Sequence, residues 1–301
     1  MTATLDWFGC ATFRLTLPGD LVVFLDAYID RVAGAAGPEP PVSASDVERA
    51  DWIVVGHSHF DHLWGAERIA RRTGATVVGS YETIRVMDGC GVPAAQLMPV
   101  AGGERVRLRD DVTVSVFPSL HSCVWSHRGM LPADQVCLGD LGVVHQERLA
   151  RFGELAGYLV GLGPETAAHL RRSDQHTRGD GGALIYLFET PEGSLLYQDT
   201  SGHWSSLLHD LRPDVAILAA AGRGNVDGEP VQGSLAGFVA DQARLLRPRR
   251  VVLSHHDDWL PGFSVATHVA PIRDELARRW PLAELAEIGY VDGYAPFEGL
   301  A

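Results

Sequence analysis

Short apolar blocks, most of them five to nine residues long, punctuate this chain and set its elements. Residues 4–8 and 12–16 alternate as strands do, and LVVFLDAYI (21–29) reads as a buried strand. GAAGPEPPVS (34–43) is a Gly/Pro-rich loop. SASDVERAD (43–51) predicts a short helix with Ser or Asp as N-cap, and WIVVG (52–56) a buried strand. HLWGAERIARRTG (62–74) has apolar positions at helical spacing and stops at Gly74; ATVVG (75–79) is a strand again. Strand–helix alternation of this kind predicts layered α/β architecture.

The pattern then changes. Residues 105–108 and 112–117 alternate like half-buried antiparallel strands. ALIYLFET (183–190) and SLLYQ (194–198) flank the turn PEGS, a hairpin signature. Strand and helix alternate again at 215–221, 234–246, 250–254 and 267–280. Two strand-and-helix blocks, each edged by hairpin material, are therefore separated by a mostly helical or irregular stretch, 123–180, which contains helical patterns at 147–159 and 164–175.

The chemistry sits where apolar runs stop. In DWIVVGHSHFDH (51–62) the run ends at Gly56, and His57, His59, Asp61 and His62 follow within six positions. His57 and His59 are two apart, so extended backbone projects them to one side. Strand ends are where open α/β sheets place their sites. VSVFPSLHS runs into His121, SLLYQDTSG into Asp199, and VVLSHHDD into His255. Four strand ends meeting at one edge would supply seven ligands, enough for two cations, with imidazole suiting zinc, iron, copper or nickel and carboxylate adding hard-oxygen character.

Composition narrows the partners. The chain has 301 residues, 46% apolar and 21% charged, with a formal net charge of −13. That charge argues against nucleic acid or an anionic membrane surface as partner, while a small substrate, even an anionic one, stays compatible with a site that holds cations. The four cysteines, Cys10, Cys90, Cys123 and Cys137, form no paired motif, the N-terminus has no signal-peptide pattern, and no segment is long and apolar enough for stable membrane insertion. These features predict a cytoplasmic protein; a homo-oligomer is compatible with them.

HSHFDH resembles the HxHxDH motif of the metallo-β-lactamase fold superfamily of hydrolases, and His121, Asp199 and His255 follow in that family's order. WFGCATFRL followed by FLDAY resembles its opening hairpin and second strand, so the likeness runs from about residue 5 to 290. VVLSHHDDW is most similar to the branch that includes L-ascorbate-6-phosphate lactonase and N-acyl phosphatidylethanolamine phospholipase D. Many members of that branch carry Gly-His-Ala/Ser-Thr where this chain has Gly9-Cys10-Ala11-Thr12. The resemblance implies an αββα sandwich of two mixed β-sheets with helices outside, one domain over 1–301 with a mostly helical inserted cap or lid at 123–180. It also implies that His57, His59 and His121 hold a first cation, that Asp61, His62 and His255 hold a second, and that Asp199 bridges. Asp26, ending LVVFLD, would orient a ligand histidine.

A site of two divalent ions ~3.5–4 Å apart makes a bridging hydroxide available near neutral pH, with Asp61 or Asp199 accepting and passing on the proton. Zinc is the first expectation, with manganese and iron as the other fits. No Ser or Cys nucleophile is needed, and neither a P-loop nor a GxSxG elbow is present. The expected reaction is hydrolysis of a lactone or other carboxylic ester of a small polar metabolite; phosphodiester hydrolysis is second, and iron-dependent oxidation within the same superfamily is a third reading. His127, His203, Arg223 and Asn225 are candidates for contacting substrate or supporting the ligands. Cys10 reads either as a residue approaching the site or, more readily, as a buried, inert thiol.

Overall fold

The computed structural model describes residues 2–126 and 130–300. A first sheet of six strands runs in sequence order: β1 (Thr4–Gly9), β2 (Thr12–Leu17), β3 (Leu21–Leu25), β4 (Trp52–Val54), β5 (Thr76–Gly79) and β6 (Leu97–Pro99). β1 to β3 form an antiparallel meander, and β3 to β6 are parallel. The second sheet continues with β7 (Arg105–Arg109), β8 (Val112–Pro118), β9 (Leu184–Thr190), β10 (Gly193–Gln198), β11 (Val215–Ala219), β12 (Arg250–Ser254) and β13 (Glu284–Ala286), again in spatial order. β7 to β10 are antiparallel and β10 to β13 parallel, so both sheets are mixed.

The period-two pattern decides what each strand face meets. Phe13, Leu15 and Leu17 of β2, with Val23 and Leu25 of β3, face Val114 and Val116 of β8, Tyr186 and Phe188 of β9, and Tyr197 of β10 in the inter-sheet core. Between them, Phe24 and, from β4, Ile53 point outward. They pack against helices α1 (Phe60–Leu63), α2 (Ala66–Thr73) and α3 (Tyr81–Gly89), through Leu63, Ile69 and Val86 among others. After α4 (His145–Val160), α5 (Pro164–Ser173) and the short α6 (Ser205–Leu208), helices α7 (Leu235–Leu246) and α8 (Val269–Arg279) cover the other sheet's outer face, with Phe238 and Ile272 against Leu196, Leu218 and Leu253. The result is the αββα sandwich. α4 and α5 belong to the excursion between β8 and β9.

Several elements depart from the sequence reading for local reasons. Residues 43–51 form no helix: Asp46 folds back on Ser43, and the chain is then extended because Asp51 already pairs with Val22 and Thr76. β3 stops at Leu25, not 29, because Asp26 takes a left-handed backbone (φ 56°). The expected helix 62–74 is two pieces, broken at Gly65, whose φ of 137° and 2.2 Å approach of a would-be Cβ to the Ala27 carbonyl require glycine. β4 ends at Val54, although Val55 still donates to the Val78 carbonyl. The apolar pattern does not single out α3, β6 or β13.

Phe13 is wholly buried between the sheets, against Tyr197. Phe13→Ala is expected to lower the free energy of unfolding by about 3–5 kcal/mol. Urea denaturation checks this; a loss below about 1 kcal/mol would place the core elsewhere.

Candidate metal centre

The parallel strands of both sheets end at the same rim. Beyond β4, Gly56 N donates to Asp26 Oδ1 (2.8 Å), which turns the chain over the end of the sheet. A Cβ on Gly56 would lie 2.1 Å from the Asp199 carboxylate carbon, so glycine is what lets that carboxylate sit beneath the strand end. His57 and His59 then stand side by side with ring centres 4.6 Å apart, and His121, delivered by the segment after β8, lies 4.7 Å from each. One donor atom from each of these three side chains lies within 4.8 Å of the others.

The hydrogen bonds on the far side of each ring fix which nitrogen faces this focus. His57 Nδ1 donates to Asp199 Oδ2 (2.5 Å), leaving Nε2 buried and without a hydrogen bond among the described residues. His121 Nδ1 faces the Ser122 carbonyl (2.9 Å), which leaves Nε2. His59 Nε2 is engaged by the Gly179 carbonyl (2.9 Å), which leaves Nδ1. Buried polar atoms are normally paired, and an orphan imidazole nitrogen facing two other free ones is what a cation site requires.

A second focus adjoins the first. His62 Nδ1 donates to Asp26 Oδ2 (2.5 Å), and its Nε2 lies 3.2 Å from His255 Nε2 and 3.4 Å from Asp61 Oδ2. His255 Nε2 is 3.2 Å from Asp61 Oδ2. His255, the residue after β12, has a left-handed backbone (φ 60°) that turns its ring into the rim. Asp199 lies between the foci: Oδ2 is also 3.3 Å from His62 Nδ1, and Oδ1 is buried with no hydrogen-bond partner among the described residues. That free oxygen is the atom available to a cation.

The protein's own charges leave the cluster unbalanced. Burial, then neighbouring His62 and His59, holds His57 well below the ordinary histidine range; burial and His59 bring His121 down to about 3. Both shifts favour the neutral ring, the form a metal ligand takes. Burial would raise Asp61, but His62 and His255 outweigh it and hold the carboxyl well below its usual range. Burial would lower His62, but Asp61 and Asp26 push it well above. Asp199 is driven up by burial and by Asp26. A divalent cation would reverse that last shift.

All seven expected ligands thus meet at one rim, and Asp26 anchors His62. The other candidates divide. Asn225 Nδ2 donates to the His121 carbonyl (2.8 Å) and so steadies a ligand's backbone. Arg223 Nη1 donates to the Cys137 and Val231 carbonyls (2.6 and 3.0 Å), pinning two loops. His203 is buried and stacked on Phe238 of α7. His127 lies outside the described residues. Cys10 is buried as expected, but its Sγ lies 3.5 Å from His255 Nε2, so its surroundings are not inert. The Gly179 carbonyl on His59 is invisible in the sequence because a backbone group carries no residue signature.

Two facing mixed sheets with a histidine–carboxylate rim at their strand ends define an αββα class of metal-site proteins. Residues 22–165 match the family described as Beta-lactamase superfamily domain, which supports the metallo-β-lactamase superfamily as the family of this chain. It is 32% identical over 149 residues to a UPF0173 metal-dependent hydrolase of Pyrobaculum arsenaticum, covering 50% of this chain and 63% of that one. It is 28% identical to one from Solibacter usitatus over 85% of this chain and 86% of that one. The chain spans between about half and just under two thirds (49% to 64%) of the length of the Pyrobaculum arsenaticum, islandicum and calidifontis relatives it matches. The solved structure of Igni18, described as a metallo hydrolase from Ignicoccus hospitalis, superposes with a TM-score of 0.61 at 16% identity over 98% of each chain.

Asp26→Ala removes the acceptor from His62 Nδ1 and from Gly56 N together. Metal affinity is expected to fall ~10–100-fold, read by competition with a chromophoric chelator; unchanged affinity would remove Asp26 from the ligand support.

Proposed function

We propose that this chain is a dinuclear metal-dependent hydrolase. The observation that carries the reading is the meeting of seven donor side chains from four strand ends at one rim, in two adjoining foci, with His57 Nε2 and Asp199 Oδ1 buried and without a hydrogen-bond partner among the described residues. His57, His59 and His121 would hold the first ion and Asp61, His62 and His255 the second, with the Asp199 carboxylate available between them. Zinc comes first because imidazole dominates the donor set, with manganese and iron as alternatives. When bound, the ions supply a water made nucleophilic near neutral pH and polarise the oxygen of the scissile group.

The chain's own residues orient and shelter. Asp26 and Asp199 fix the His62 and His57 rings from behind. Asp61 Oδ2, held between His62 and His255, is the oxygen placed to accept a proton and return it to the leaving group, with Asp199 the second carboxylate in reach. The 123–180 segment acts as a cap. Its Gly179 carbonyl and that of Gly181 just beyond it contact His59 and the Ser58 amide, and His169 of α5 bonds the Tyr28 hydroxyl (2.7 Å) within an aromatic cluster that includes Phe60, Trp64 and Trp259.

The substrate class is a lactone or other carboxylic ester of a small polar metabolite, with a phosphodiester second. The likeness of the HHDDW stretch to a lactonase-containing branch supports the order, and the net charge of −13 weighs against polynucleotides. A cytoplasmic setting fits four cysteines that form no disulfide in the described residues; no helix there is long and apolar enough to cross a membrane.

The test is a screen of lactones, carboxylic esters and phosphodiesters with metal-loaded protein. Hydrolysis is expected, lost on chelation and restored by zinc or manganese. His59→Ala and Asp199→Ala should each cost more than the ~10–100-fold typical of a supporting group, with unchanged circular dichroism. Bound iron with oxygen consumption, or near-normal rates in either variant, would overturn the reading.

A further inference from the structure

Cys10 lies in the two-residue connection between β1 and β2, where Gly9 pairs with Thr12. Most such side chains point to solvent; this one is wholly buried. One flank of the residue is apolar, against a cluster that includes Tyr28, Trp259 and Leu260. The sulfur itself points the other way. Sγ lies 3.4 Å from the Asp61 carbonyl and 3.5 Å from His255 Nε2, and donor atoms of Cys10, Asp61 and His255 all fall within 4.8 Å of one another.

We propose that Cys10 is a thiolate ligand of the second cation, adding a sulfur donor to the set of Asp61, His62 and His255. This rests on the reading of the rim as a dinuclear metal centre. The spacing of the donors carries it. A tetrahedral zinc with bonds of ~2.0–2.1 Å to nitrogen or oxygen and ~2.3 Å to sulfur sets its N/O donors ~3.3–3.4 Å apart and its sulfur ~3.5–3.6 Å from each of them. Around His255 Nε2 the structure has 3.2 Å to Asp61 Oδ2, 3.2 Å to His62 Nε2 and 3.5 Å to Cys10 Sγ, with 3.4 Å between the Asp61 and His62 atoms. The separations around His255 Nε2 therefore match the edges of a cation's donor shell that includes the Cys10 sulfur.

The backbone is held for this purpose from several directions. Cys10 is a non-glycine residue with left-handed φ (49°), a conformation that persists where the surroundings over-determine it. Its amide donates to both Asp257 oxygens (3.0 and 3.1 Å), and its carbonyl accepts from the His255 amide (2.8 Å) and from Trp7 Nε1 (3.0 Å). Asp257 is in turn held by Arg31 (3.5 Å) and the Tyr290 hydroxyl (3.2 Å). The stretch His255–Asp257 thus supplies a ligand imidazole at one end and, two residues on, the carboxylate that aims the thiol at the same focus. Asp257 is a positioning residue.

On binding, the S–H bond breaks, a sulfur–metal bond forms and the proton leaves to solvent. A thiolate makes the second site softer than the first, so it favours zinc, cobalt or iron over manganese and magnesium.

Cobalt(II) loading of the metal-stripped, full-length protein tests this. Two equivalents are expected to bind, and a near-ultraviolet thiolate-to-cobalt charge-transfer band should appear as the Cys10 site fills. The band should survive in the Cys90→Ser/Cys123→Ser/Cys137→Ser variant and vanish in Cys10→Ser, which keeps the first cobalt. Two bound cobalt ions without the band, or a band that persists in Cys10→Ser, overturns the thiolate ligand while leaving the dinuclear reading intact. A wild-type protein that binds fewer than two ions overturns both. X-ray absorption at the zinc edge of the unmodified protein makes the same distinction without a variant: a sulfur neighbour at ~2.3 Å supports the thiolate ligand, and a shell of nitrogen and oxygen alone contradicts it.

Discussion

Desolvated charge is the constraint on which this molecule is built. Asp26, Asp61 and Asp199 share one rim with His57, His62, His121 and His255, all of them buried, and with half-buried His59. Groups of this kind are expensive away from water unless they are paired or coordinate metal. Some are paired: His57 with Asp199, His62 with Asp26. The pairing is incomplete, since His57 Nε2 and Asp199 Oδ1 face the focus with no partner among the described residues. Cations placed at the two foci would satisfy both orphans at once. The same ions would lower the cost of keeping Asp199 ionised beside Asp26.

The fold serves that constraint by bringing strand ends together. Within each sheet, parallel strands point the same way, so β4, β10 and β12 deliver their following residues to one edge, and the chain after β8 reaches it too. The turns beyond those ends do the aiming. Left-handed backbone at Asp26, His255 and Cys10, and a glycine at 56 with no room for a Cβ, place side chains that regular strands would send elsewhere. Backbone carbonyls at Gly179 and Gly181 reach this edge, at His59 and the Ser58 amide, so their contribution depends on chain path more than on side-chain identity.

Much of this is legible in the sequence because burial writes itself as pattern. The even–odd alternation of β2 and β8 matches the structure because one face of each is buried in the core and the other only partly so, and the apolar spacing of α7 matches its packing on the second sheet. The HSHFDH run and the residues ending later strands are legible for the same reason: polar ligand types stand out directly after apolar blocks. What stays hidden depends on three-dimensional partners. The break at Gly65 comes from the Ala27 carbonyl, the missing helix at 43–51 from pairing of Asp51 with distant residues, and the burial of His203 from Phe238. The sequence leaves Cys10 open between an inert thiol and a neighbour of the site because nothing in its neighbourhood along the chain predicts Asp257 and His255, nearly 250 positions away.

The most direct measurement is anomalous diffraction from crystals of the metal-loaded protein at the absorption edge of its bound metal. Two peaks ~3.5–4 Å apart are predicted, one within reach of His57, His59 and His121, the other within reach of Asp61, His62 and His255. A single peak, or density that leaves these side chains hydrogen-bonded only to one another in fully loaded crystals, would contradict the account.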